Sequence, residues 1–269
     1  MHALAFLHDL PASAVFALFM GVAGLSAALA CRLGAAVVRA PQTKEMIDIA
    51  MRSTGAVTAA LTLTLAFCAV QARTQMGDAQ RLVQAEVSSI AGFVRLAERL
   101  GPQGAPLLPA LGAYVHAIAA SEFPVMATIG RDPATQRAAE ALENAAYAAA
   151  TLLGNTLADD LLEEADRLEA AREARLHAAA QGLPRQFWLL ITLLMALIMA
   201  TGAVYPPRPH ILAMLGIQAA GLGALIAFVF LMEQPFRGEL AISPEPYRVL
   251  ERSLAHRADP ARSVRFLSP

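Results

Sequence analysis

Four stretches without a charged side chain, each long enough to cross a bilayer, constrain this chain more than anything else in it. They are Pro11–Cys31, Ser53–Ala72, Gln186–Pro207 and Pro209–Met232. A hydrocarbon core ~30 Å thick takes about 20 apolar residues at 1.5 Å rise each, and all four stretches meet that length. The expected fold is an all-α integral membrane protein with spans at 11–31, 47–72, 186–206 and 210–232. A cytoplasmic helical layer is expected over 73–185 and a tail over 233–269.

The distribution of charge supports this division. Charged residues make up 16% of the chain, against roughly 25% in soluble domains. Apart from Asp9 and Arg208, they fill Arg73–Arg185, the short Arg32–Arg52 connection and the tail from Glu233. No basic domain suggests nucleic acid as a partner. Lys44 is the only lysine beside 20 arginines, a usage associated with GC-rich bacterial coding. Cys31 and Cys68 both lie in expected spans, where they read as small packing residues rather than a disulfide or metal pair. The first ten residues carry no Lys or Arg, and the apolar run after them is too long for a signal-peptide core. Residues 11–31 therefore read as a retained span.

Along the chain, a loop containing Arg39 and Pro41 follows the first span. The second starts near Ile47, with Arg52 one turn inside, able to snorkel to the interface. It continues without a break signal into Arg73–Leu100, where Leu82, Val83, Val87, Ile90, Val94 and Leu100 keep helical spacing. One long helix leaving the membrane is expected. A turn at Gly101–Pro106 precedes a helix over about Leu107–Ser121, interrupted near Pro124. Asp132-Pro133 reads as an N-cap with proline at the first helical position. The region from Pro133 to Gln181 is helical with a possible break at Gly154-Asn155, and its Glu/Arg-rich part over 159–177 reads mostly as a solvated face. A short helix is expected around Pro246–His256, and the last residues read as unstructured. The basic residues near span ends favour both termini and the helical segment in the cytoplasm of a bacterial inner membrane.

Within the spans, Thr54, Thr58 and Thr62 recur every four residues, so a polar stripe lining a water-filled path competes with hydroxyls that bond their own backbone or a neighbouring helix. Arg52 at the mouth would concentrate anions. In the fourth span Gly216, Ala220 and Ala224 form one small-residue ridge and Ala219, Gly223 and Ala227 another, which read as helix-packing surfaces. Gln218, the span's one strongly polar side chain, is expected to bond across to another helix. No nucleophile–base set, phosphate loop or H-E-x-x-H occurs, so no enzyme, cofactor or metal is expected, and Glu163, Glu164 and Glu169 read as surface charge rather than metal ligands.

The most specific stretch is Glu233-Gln234-Pro235-Phe236-Arg237-Gly238-Glu239, followed by Ser243-Pro244-Glu245-Pro246-Tyr247. It resembles the tail motif of the bestrophin-like family of bacterial membrane proteins. Tyr114-Val115-His116…Glu122-Phe123-Pro124-Val125-Met126 is similar to that family's Tyr…Glu-Trp-Pro-x-Met segment, with phenylalanine in place of tryptophan. The resemblance covers about Glu45–Leu254. It implies kinship with bestrophins, pentameric anion channels with four spans and a cytoplasmic helical region between spans two and three. Bestrophin pores carry an aromatic-rich constriction on the second span, where this chain has Phe67 alone. In the tail motif, Pro235 ends the span, Gly238 permits a positive φ, Arg237 is placed to pair with Glu233 or Glu239, and Ser243–Pro246 is expected to be extended.

The leading expectation is a homo-oligomeric small-anion channel in the lipid bilayer with span two lining the path, so that Thr58→Leu reduces flux without changing assembly. The alternative is a non-conducting scaffold or signalling adaptor that uses its cytoplasmic helices.

Overall fold

The computed structural model describes residues 2–37 and 43–258. The loop around Arg39 and Pro41 and the last residues lie outside them. A 3₁₀ segment, His2–Asp9, leads into α1 (Ala12–Val37). Then come α2 (Lys44–Arg99), α3 (Leu107–Ala117), a π turn (Ile118–Glu122), α4 (Met126–Ile129) and α5 (Pro133–Ala150). The chain continues with α6 (Asn155–Ala180), α7 (Arg185–Gly202), α8 (Pro209–Met232) and α9 (Glu245–Ala258). No strand occurs among the described residues. Four of these helices, α1, α2, α7 and α8, contain runs long and apolar enough to span a bilayer.

The chain divides into two compact units, one formed by residues 1–76, 182–234 and 238–240, the other by the rest. In the first, α1 and α8 lie closest together because small residues let their backbones meet. A Cβ added at Gly223 would sit 2.6 Å from the Phe19 carbonyl oxygen, and one at Gly24 would sit 3.1 Å from that of Gly216. Ala23, Ala27 and Ala219 fill the same seam. The N-terminal part of α2 joins through larger side chains: Leu61, Leu65 and Cys68 cluster with Ile191 and Ile198 of α7 and with Leu222, Ile226 and Val229 of α8.

The second unit has its own core. Val83, Ile90, Phe93 and Val94 from the later part of α2 are buried with Leu107, Leu111 and Tyr114 of α3, Leu142 and Ala146 of α5, Leu161, Leu168 and Leu176 of α6, and Tyr247 and Leu254 of α9. Local signals set its boundaries. The Asp132 carboxylate accepts the Thr135 backbone N–H (2.8 Å), capping α5, and Pro133 fills the first helical position, where its missing N–H costs nothing. The chain breaks at Thr151–Gly154, as the glycine there suggests, and α6 resumes at Asn155. The residues Ser243-Pro244, expected to be extended through Pro246, instead cap a helix: the Ser243 hydroxyl accepts the Glu245 N–H (3.2 Å) and α9 starts at Glu245.

Candidate functional site

The three threonines of α2 have different surroundings. Thr54 is buried and its hydroxyl donates to that of Thr201 on α7 (2.8 Å). Thr58 accepts a hydrogen bond from the Gln218 amide of α8 (3.2 Å). Thr62 is exposed and donates to the Thr58 carbonyl (2.9 Å). At 3.6 residues per turn, a four-residue step advances about 40° around the helix. The stripe therefore winds from the face of α2 against α7 and α8 toward the opposite face. That opposite face carries Ala59, Thr62, Leu63, Ala66, Phe67 and Val70, all exposed. By the same count Arg52 and Arg73 lie on it too, both exposed, 21 residues or about 32 Å apart at 1.5 Å per residue. Asp48, one turn before Arg52, is exposed on the same face.

On α8, Gly216, Ala220 and Gly223 line the α1 seam, and Ala224 is half-buried beside it. Gln218 is exposed apart from its bond to Thr58.

The start of the tail motif closes on the N-terminal segment. Glu233 is buried at the C-terminal end of α8 and accepts the Trp188 indole N–H (2.8 Å). The buried His8 ring lies 4.0 Å from its other oxygen, and His8 Nε2 lies 3.2 Å from the Phe230 carbonyl. Gly238 has φ +90°, and a Cβ there would come 2.9 Å from the His8 carbonyl oxygen, so only glycine suits the position. The Glu239 carboxylate accepts the Ala12 N–H at the first turn of α1 (2.8 Å), where a negative charge is favoured.

The second unit holds a buried ionic cluster. Arg175 of α6 is fully buried. Its guanidinium pairs with Glu86 of α2 and with Glu122 of the π turn (2.8 Å), and it donates to the Met126 sulfur (2.9 Å). Arg172, one turn earlier, pairs with Glu122 (2.5 Å) and donates to the Gln136 side-chain carbonyl (2.9 Å). The phenols of Tyr114 and Tyr247 both donate to Glu86, and the Arg175 guanidinium lies 5.6 Å from the Tyr247 ring centre. Two carboxylates face two guanidiniums, so charge balances, and additional donors fill the remaining acceptor positions, as buried ion pairs require. Burial works to raise the Glu122 carboxyl, but Arg172 and Arg175 outweigh it and hold the group below the usual carboxylate range. Burial, then the Glu86 charge, pushes both phenols up. The π turn makes Glu122 available: Phe123 N–H bonds back to the Ile118 carbonyl (2.9 Å), widening the helix so that Glu122 turns inward.

Within 159–177 the cluster takes two charges, Arg172 and Arg175, out of the face that reads mostly as solvated. Glu169 stays exposed, but Arg172 and Arg175 leave the surface entirely. Glu173 pairs with Arg131 (2.6 Å), and Glu163 and Glu164 receive Arg167.

A sequence profile described as a bestrophin-like domain matches residues 20–247. The chain belongs to the bestrophin-like family. It is similar in fold to a bacterial bestrophin homologue from Klebsiella pneumoniae, with a TM-score of 0.60 at 13% identity over 88% of this chain and 96% of that one. A single-substitution variant of the Klebsiella protein aligns with a TM-score of 0.60 at 12% identity, over 89% and 97%. A solved structure described only as a membrane protein variant aligns with a TM-score of 0.62 at 12% identity over the same shares. No curated protein matches.

The structure gives the bestrophin-like motifs of this chain a shared physical basis. Tyr114, Glu122 and Met126 of one motif and Tyr247 of the other all touch Arg175 or Glu86. Phe123 of the same motif packs edge-on against Phe236 of the tail (ring centres 5.6 Å apart) and lies 5.8 Å from the Tyr247 ring. Sequence reasoning missed Glu86, Arg172 and Arg175, because each looks like one more charge on a long helix. The available signal was Glu86 at an inward position among Val83, Ile90 and Phe93.

Proposed function

We propose that this bestrophin-like protein assembles into a channel for small anions and that α2 lines the path. The observation that carries the reading is the free face of α2. It is neutral and built of Ala59, Thr62, Leu63, Ala66, Phe67 and Val70, with Arg52 and Arg73 at its two ends. Repeated around an axis, such a face gives a bilayer-length passage with no carboxylate between a ring of Arg52 and a ring of Arg73, Asp48 lying one turn beyond Arg52, and the arginines raise local anion concentration. Thr62 supplies the one hydroxyl on that face. Thr54 and Thr58 serve from behind, tying α2 to α7 and α8 through Thr201 and Gln218. The proposed setting is a bacterial inner membrane, with both termini and the second unit in the cytoplasm and the chain assembled as a homo-oligomer.

Chloride efflux from liposomes containing the purified protein tests this. Flux is expected in the wild type, with a clear fall in the chloride-to-sodium permeability ratio for Arg52→Glu together with Arg73→Glu. Flux whose selectivity is untouched by that double change would remove α2 from the path. A protein that assembles but passes no ion would favour the scaffold alternative. For that reading the exposed remainder of α6, with Asp159, Asp160, Asp166 and Glu169, suits a basic partner surface.

A further inference from the structure

Glu233 is a buried carboxylate in an awkward position. It caps the C-terminal end of α8, where the helix dipole disfavours negative charge, and it is 5% exposed. Burial pushes its carboxyl above the usual range, and the indole hydrogen bond opposes this only in part. The His8 ring, 3% exposed, can supply positive charge here: its Nε2 lies 4.0 Å from Glu233 and 3.2 Å from the Phe230 carbonyl in the last turn of α8. An imidazolium at that point would meet both the carboxylate and the negative end of the helix.

We propose that His8, Trp188 and Glu233 form a proton-binding site that clasps the N-terminal segment to the end of α8. With a proton shared between imidazole and carboxylate, the segment is held by an ion pair or a neutral hydrogen-bonded pair. When that proton leaves, a buried carboxylate faces a neutral ring and the clasp weakens. The other charged groups on the elements closing over the site are Asp9, Arg185, Arg237 and Glu239. Asp9 and Arg237 each have a partner, Glu239 accepts the Ala12 N–H, and Arg185 is exposed at the start of α7. Trp188 also packs against the cluster containing Leu65 and Cys68 of α2, so the site is in contact with the helix of the proposed path. A consequence for flux rests on the channel reading; the proton site itself does not.

Trp188 is the only tryptophan in the chain, so its fluorescence reports on the carboxylate it touches. The test is a pH titration of the emission of the full-length protein in detergent. The expected result is one step centred above the range of an exposed glutamate, lost in Glu233→Gln. His8→Gln removes the nearest cation and is expected to move the midpoint up by about one pH unit, a tenfold change in proton affinity. A step that survives in Glu233→Gln, a midpoint unmoved by His8→Gln, or no step in the wild type would overturn the proposal. If Glu233→Gln does not fold, the infrared carbonyl band of a protonated carboxyl in the wild type decides: it must disappear with the same midpoint, and its absence or a different midpoint refutes the site. Chloride efflux measured alongside separates the two ideas, since a protein without flux can still show the step.

Discussion

Arg175 shows how a charged side chain can belong to a core. It exchanges water for two carboxylates, a sulfur and an aromatic ring. Removing one partner leaves the others charged and dry, which costs about 3–5 kcal/mol. Glu122→Gln is therefore expected to lower thermal stability by that order, read by circular dichroism in detergent, and Tyr247→Phe by about 1–3 kcal/mol through the lost donor to Glu86. The pH dependence carries opposite signs in the two units. Glu122 is held below its ordinary value of 4.5, so its contribution is fully present above that pH and lost as pH falls through the lowered value. Glu233 is raised, so its contribution is present at low pH and lost as pH rises through the raised value. Acid melts of Glu122→Gln should lack the part of the low-pH destabilisation seen in the wild type. An unchanged acid profile would mean that Glu122 does not stay ionised in the fold.

Among the elements, the α1–α8 seam depends on the absence of side chains. Gly223→Val puts carbon against the Phe19 backbone, which cannot move aside as a side chain can. Overpacking of this kind costs about 1–3 kcal/mol, and the expected outcome is a lower melting temperature with Gly221→Ala, which meets open space, as the tolerated control. At the start of α5, Asp132→Ala removes the cap and should cost about 1 kcal/mol. The small-residue ridges of α8 were legible in the sequence because spacing alone places them on one side. The inward turn of Glu122 was not, because it depends on one extra residue in a helical turn, and nothing in Ile118–Glu122 differs in type from an ordinary helix.

For the whole molecule, the free face of α2 is the feature that oligomerisation has to explain. Leu63, Phe67 and Val70 stand more than half exposed on it, and a ring would turn that face toward a common axis. Native mass spectrometry of the detergent-solubilised protein is expected to show a pentamer. A monomer or dimer would leave no shared path and would move the reading to the scaffold.

The sequence by itself determined the four apolar helices, their order, the long second helix and the Asp132 cap, because these follow from apolar length and from residues close together in the chain. Only the tertiary structure decided which charges are core and which threonines face a partner helix. Glu86, Glu122 and Arg175 are separated by tens of residues, and the drift of Thr54, Thr58 and Thr62 around α2 has no meaning until α7 and α8 are in place. Short-range signals fix elements; the direction in which a polar side chain spends its hydrogen bonds depends on neighbours that the fold alone brings near.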